Sequence, residues 1–186
     1  CAPYFIAEIG ANHNGDIELC EKTIKAAKNS GADAVKFQSW SLETLCSEEV
    51  FRSLGEDDAV NLRQEIRKYE LQPQDYQRIK NCCEEIEIDF LVSAFSKEEV
   101  DFLTELGVPA IKVASMDLNH DDLLIHIASK NVPVLLSTGM GSTAEIVHAV
   151  EVLVDAGADE ILLFHCVSQY PTPAEKATLM NIVGLR

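Results

Sequence analysis

Apolar and polar positions along the chain switch between two periods. Tyr4 to Ile9 is a short apolar run that gives way to Gly10-Ala-Asn-His-Asn-Gly15, which reads as a buried strand followed by a tight loop. Ile17, Cys20, Ile24 and Ala27 then recur at helical spacing behind a capping Asp16, and Gly31 ends that helix. Ala34 to Gln38 is a second strand. Residues 42–69 are more polar, with helical patches around Glu48 to Leu54 and Val60 to Tyr69, and predict an insertion over one face. Pro73 suits the first turn of a helix over Gln74 to Glu85, whose Tyr76, Ile79, Cys82 or Cys83 and Ile86 fall at core spacing. Strand and helix then alternate: Asp89 to Ala94, Lys97 to Leu106, Ala110 to Ala114, Asp121 to Ser129, Val134 to Ser137, Thr143 to Ala156, and Glu160 to His165.

Two joints nearly repeat, Ser30-Gly-Ala-Asp-Ala-Val-Lys-Phe37 and Ala156-Gly-Ala-Asp-Glu-Ile-Leu-Leu163, and Leu106-Gly-Val-Pro-Ala-Ile-Lys-Val113 keeps the same glycine-to-strand spacing. Such recurrence marks helix ends feeding inner parallel strands, as in a doubly wound sheet or a (β/α)8 barrel. A dinucleotide-binding sheet would carry GxGxxG after its first strand, which is absent here. The reading is therefore α/β, a TIM (β/α)8-type barrel with about six of its eight βα units in this chain. One domain, residues 1–186, is expected, incomplete at its C-terminus.

Two of the predicted strands carry a lysine inside an apolar run, Lys36 between Val35 and Phe37 and Lys112 between Ile111 and Val113. Burying an ammonium group is costly unless an opposite charge or an anionic ligand receives it. If the bulky neighbours face the helices, Lys36, Gln38, Lys112 and Ala114 face inward, and C-terminal strand ends build the active site of such barrels. Glu8, Ser93, Ser115, Ser137 and His165 end or follow the first, third, fourth, fifth and sixth strands. Two ammonium groups among hydroxyls suit a small phosphate or carboxylate. Glu8 is a candidate for acid–base work, with a structural ion pair to Lys36 or Lys112 as the alternative. Each serine could instead cap a turn, and His165 could be a core histidine. His13 lies in a loop where an exposed imidazole is common, although Asn12 and Asn14 beside it suggest a polar binding loop, while His120, His126 and His148 read as surface or helix residues.

Composition narrows the partners. The net charge of −16, from 31 acidic and 15 basic residues with no basic patch, disfavours nucleic acid and anionic membrane surfaces. No apolar run approaches the ~20 residues that span a bilayer and no secretory signal is visible, which predicts a cytoplasmic protein. The six cysteines lack paired CxxC spacing and read as reduced thiols. The entry into a strand almost directly after Cys1 predicts preceding residues.

The strings Ile6-Ala-Glu-Ile-Gly-Ala-Asn-His-Asn-Gly15, Val35-Lys-Phe-Gln38, Ile111-Lys-Val-Ala-Ser115, Leu136-Ser-Thr-Gly-Met140 and Leu163-Phe-His-Cys-Val-Ser-Gln-Tyr-Pro-Thr-Pro173 resemble, in order, those of the sialic acid synthase (N-acetylneuraminate synthase) family. The resemblance runs from about Tyr4 to Pro173 and is weakest over residues 42–69. It implies a TIM barrel on which C3 of phosphoenolpyruvate attacks the open-chain aldehyde of N-acetylmannosamine or a related N-acylated sugar. Water attack at C2 then leads to phosphate release and a nine-carbon 2-keto acid. It also implies a divalent metal, manganese or magnesium, acting on the aldehyde as a Lewis acid.

By position, Lys36, Ser93, Lys112, Ser115 and Ser137 resemble the phosphoenolpyruvate-holding residues, with Ser168 and Tyr170 completing the cradle, and Glu8 resembles the glutamate at the reacting centre. Asn12, His13, Gln38 and His165 are candidates for the sugar side. Val92-Ser-Ala-Phe95 stands where the family commonly shows Ser-Thr-Pro-Phe, and Met116 replaces a usual glycine. The metal-binding histidines belong to later strands of the family, expected beyond Arg186, as is an antifreeze-like C-terminal domain. A homodimer is implied for the full-length protein, and the chain alone is expected to be inactive. A Schiff-base aldolase using Lys112 or Lys36 and a non-catalytic anion-binding fragment are the alternative readings.

Overall fold

The computed structural model describes residues 2–185, which fall into two compact units that divide between Glu99 and Val100.

In the first unit, β1 (Ile6–Glu8), α1 (Ile17–Asn29) and β2 (Ala34–Gln38) are followed by four helices, α2 (Leu42–Leu45), α3 (Glu48–Ser53), α4 (Glu56–Tyr69) and α5 (Pro73–Glu85), and then by β3 (Asp89–Ser93). The three strands are parallel, with Glu8 opposite Lys36 and Gln38 opposite Ser93. Asp16 caps α1 by accepting from the backbone N–H groups of Glu18 and Leu19. The apolar face of that helix buries Cys20 and Ile24 completely. It packs on α5 and β2, and α5 in turn on β3. Val35 and Phe37 are fully buried, whereas Lys36 and Gln38 are only partly so, the alternation expected of a strand with two unlike faces.

Residues 42–69 are more continuously helical than their composition suggests. α4 starts at Glu56 because Glu56, Asp57 and Asp58 occupy its first turn, where carboxylates meet the positive end of the helix dipole. Trp40, Leu42, Phe51 and Ile66 form a small separate core there, joined by Leu45, Leu62, Tyr69 and Phe95.

α6 (Lys97–Leu106) leads into the second unit, which continues with β4 (Ile111–Val113), a 3-10 turn at Ser115–Asp117, α7 (Asp121–Ala128), β5 (Val134–Ser137), α8 (Thr143–Asp155), β6 (Ile161–Phe164), a second 3-10 turn at Ala174–Lys176 and α9 (Asn181–Gly184). β4, β5 and β6 are parallel. Their core includes Ile111, Val113, Leu123, Leu124, Ile127, Leu136 and Leu153, all inaccessible to solvent. The three repeated joints share one backbone solution: Gly31, Gly107 and Gly157 all take positive φ, the conformation that lets a helix stop and the next strand begin.

Candidate active site

In the first unit the C-terminal strand ends hold a connected polar group. Lys36 Nζ lies 2.5 Å from Glu8 Oε2 and donates to Ser93 Oγ at 3.1 Å. Gln38 Nε2 donates to the other oxygen, Glu8 Oε1, at 3.3 Å. The strand register places these residues together, since Glu8 pairs with Lys36 and Gln38 with Ser93 on adjacent parallel strands. The ion pair foreseen as the alternative for Glu8 therefore forms. The Glu8 side chain remains 47% exposed, so that one arm of the pair opens to solvent.

Glu99 supports Ser93 from behind. It accepts from Phe95 N and Thr44 Oγ1, both at 2.7 Å, and Ser39 Oγ lies within hydrogen-bond distance of both Glu99 Oε2, at 3.2 Å, and the Ser93 carbonyl, at 2.9 Å. Burial raises the Glu99 carboxyl above its ordinary range, against those hydrogen bonds.

The second unit holds a matching group. Lys112, buried to 7% exposure, donates to Ser137 Oγ and to the Val113 carbonyl, both at 2.5 Å, and stands 5.7 Å from the Phe164 ring centroid. Cys166 Sγ lies 3.3 Å from Ser137 Oγ. Gly139 N donates to Ser115 Oγ at 3.1 Å. A Cβ on Gly139 would sit 2.8 Å from both Ser115 Oγ and Ser168 Oγ and 3.2 Å from Cys166 Cβ, so a side chain there would displace the hydroxyls. His165, Cys166 and Ser168 line an open groove of about 880 Å³ together with Thr138, Met140 and Lys176.

Not every expected residue joins these groups. Tyr170 is 96% exposed and Asn12 is exposed. His165 gives one ring nitrogen to the Ala177 carbonyl at 2.7 Å while facing the groove. His13 is a correction. It is 1% exposed, accepts from Gly15 N through Nδ1 at 3.0 Å and lies 6.1 Å from Phe37. It is a core residue that closes its own loop, and burial lowers its pKa, against a hydrogen bond with the Gly10 backbone. His120, His126 and His148 pair with Asp117, Asp101 and Asp121. Cys20, Cys46, Cys82, Cys83 and Cys166 are free thiols.

Sequence reasoning gave Asp117 no role. It is 9% exposed, its Oδ2 has no hydrogen-bond partner among the described residues, and its Oδ1 is 3.8 Å from His120 Nδ1. Burial pushes its carboxyl upward, opposed by His120 and by the charge of Lys112. The available signal was an acid five residues beyond a strand lysine, inside the turn where the strand ends. Among the described residues no three His, Cys, Asp or Glu side chains gather to hold a metal ion. No described helix is long and apolar enough to cross a membrane.

The NeuB family matches residues 23–186. N-acetylneuraminate-9-phosphate synthase of Drosophila melanogaster is 36% identical over 98% of this chain and 50% of its own length. N,N'-diacetyllegionaminic acid synthase of Legionella pneumophila is 32% identical over 95% of this chain and 52% of its own. The chain thus spans about half the length of these curated relatives. The solved N-acetylneuraminic acid synthetase of Leptospira borgpetersenii, in complex with citrate, superposes with a TM-score of 0.85 at 33% identity, over 99% of this chain and 61% of that one. This likeness bears out the expected α/β fold of TIM type, present in part, and by its match over most of its length the chain belongs to the NeuB family.

Proposed function

We propose that the protein condenses phosphoenolpyruvate with N-acetylmannosamine or a related N-acylated sugar, forming a sialic-acid-type nonulosonic acid and phosphate. One observation carries the reading: Lys36 in β2 and Lys112 in β4 each project from the middle of a parallel strand with a serine hydroxyl in hydrogen-bond contact. The relatives named as nonulosonic acid synthases support it.

In this reading each unit carries its own donor set for an anionic oxygen: Lys36 with Ser93 in the first, and Lys112 with Ser137, flanked by Ser115 and Ser168, in the second. An ammonium beside a hydroxyl offers charge and a directed hydrogen bond to an anionic oxygen. Gly139 keeps Ser115 and Ser168 in place by leaving them room. Tyr170, free in solvent, would have to fold inward on binding to contribute. Glu8, half exposed and steadied by Lys36 and Gln38, is the carboxylate for the sugar or the reacting carbons. Asp117 is suited to holding or giving a proton, because a buried carboxyl with one unpartnered oxygen favours its protonated form. A divalent metal, manganese or magnesium, belongs to the proposal as Lewis acid for the aldehyde. The described residues offer no ligand set for it, and no step above depends on one.

The Schiff-base alternative requires a lysine with its lone pair available. Here the Lys36 ammonium is paired with Glu8 at 2.5 Å and Lys112 donates to a carbonyl and a hydroxyl, arrangements that employ the ammonium as a charge. Incubating the full-length protein with phosphoenolpyruvate, manganese and N-acetylmannosamine should release phosphate, inhibited by EDTA and leaving nothing for borohydride to trap. A borohydride-trapped adduct insensitive to EDTA would favour the aldolase. Binding of phosphoenolpyruvate without turnover, followed by calorimetry with metal and sugar present, would favour a non-catalytic role.

A further inference from the structure

Gln38 stands between two side chains of opposite hydrogen-bonding capacity. On one side Trp40 Nε1 donates to Gln38 Oε1 at 3.1 Å; on the other, Gln38 Nε2 donates to Glu8 Oε1 at 3.3 Å. An indole N–H can only donate and an ionised carboxylate can only accept. The amide between them therefore has one satisfied orientation. Turned over, it would set its NH2 against the indole N–H and its carbonyl against the carboxylate, losing both bonds and placing like partial charges in contact.

The rest of the residue is held as well. Tyr76 donates its hydroxyl to the Gln38 carbonyl at 2.8 Å. Gly10 closes the far side, where a Cβ would lie 3.1 Å from Glu8 Oε1 and 3.5 Å from Gln38 Nε2. Trp40 itself is 9% exposed and belongs to the core formed with Leu42, Phe51 and Ile66. The insertion of residues 42–69 thus grips the ring body and leaves the N–H edge directed at the end of β2.

We propose that Trp40 is a positioning residue: its indole N–H fixes the Gln38 amide so that the NH2 faces Glu8, which sets the Glu8 carboxylate between Gln38 and Lys36. The polar path Trp40–Gln38–Glu8–Lys36–Ser93 ties the insertion's small core to the strand-end charges. Its functional half rests on the reading of Glu8 as the carboxylate at the reacting centre. A phenylalanine at position 40 would fill most of the same core volume and leave the amide unoriented, so the hydrogen bond is separable from the packing.

Trp40 is the only tryptophan in this chain, and in a nitrogen-15 proton spectrum of the full-length protein its indole N–H is the signal that Trp40→Phe or Trp40→Tyr removes. In the labelled protein that signal should exchange slowly with solvent, and Gln38→Leu should move it and speed its exchange. In the full-length enzyme Trp40→Phe should lower kcat about five- to tenfold, the scale of a lost hydrogen bond, with the KM for phosphoenolpyruvate unchanged. The same Trp40→Phe change should cost nothing further in a Gln38→Leu background, because Trp40 acts through Gln38; a purely structural tryptophan would cost as much in either background.

An indole signal unmoved by Gln38→Leu, or an equal kcat loss in both backgrounds, overturns the proposal. If Trp40→Phe fails to fold, the Gln38→Leu spectrum still decides. Glu8→Ala with wild-type turnover would instead overturn the reading of Glu8, and with it the functional half, while the indole shift would stand.

Discussion

At the scale of single residues, the proposed function rests on charges carried within apolar strands. Lys112 is buried among Val113, Ser137 and Phe164, and its removal should raise the KM for phosphoenolpyruvate at least tenfold with little change in the KM for the sugar. Steady-state kinetics of Lys112→Ala in the full-length enzyme, varying each substrate in turn, check this. His13 carries a different prediction. Burial holds its folded-state pKa below the ordinary 6.5, so the unfolded chain takes up the proton first. Its neutral form favours folding fully above pH 6.5, and that stability is lost as pH falls toward the depressed value. Between pH 7.5 and pH 5.5, urea unfolding should show a larger loss for the wild type than for His13→Asn, which retains an acceptor and does not titrate.

The two lysines were legible because a charge inside an apolar strand run is conspicuous. Glu8 and the serines were legible because they fall at strand ends, and the family resemblance named the same positions. His13 was misjudged because a loop histidine between two asparagines reads as solvated, whereas the loop folds inward over Phe37. The burial of Asp117 and the crowding around Gly139 arise from tertiary approach, which local pattern does not encode.

At the scale of elements, local signals and tertiary context agree closely. Lys97–Leu106 and Val134–Ser137 form the helix and strand read from the sequence, since glycine joints and period changes bound them. The insertion was the least legible part. Its helices bury one narrow face each, so that Phe51 in α3 and Ile66 in α4 are the only buried residues of those helices and few apolar residues mark them in the sequence. Capping decides more there and at α8, where Ser142 Oγ accepts from Glu145 N at 3.3 Å and Glu145 Oε2 accepts from Ser142 N at 2.7 Å. Ser142→Ala should cost about 1 kcal/mol of stability, measurable as a lower urea midpoint with unchanged slope. The effect on phosphoenolpyruvate binding should be small.

At the scale of the whole molecule, an acidic protein of net charge −16 would repel a small anion except where its lysines are placed. Two ammonium groups carried on parallel strands thus give the anion-binding reading its force. The proposed condensation has a chemical signature. Once water has added at C2 of the phosphoenolpyruvate carbons, collapse of that intermediate breaks the C2–O bond and expels the bridging oxygen with the phosphate. The most direct measurement therefore uses phosphoenolpyruvate carrying oxygen-18 in its C–O–P bridge, incubated with the full-length protein, manganese and N-acetylmannosamine or another N-acylated sugar. The account predicts that all the label appears in inorganic phosphate, and only when a sugar is present; label left in the keto acid, or release that ignores the sugar, would contradict it.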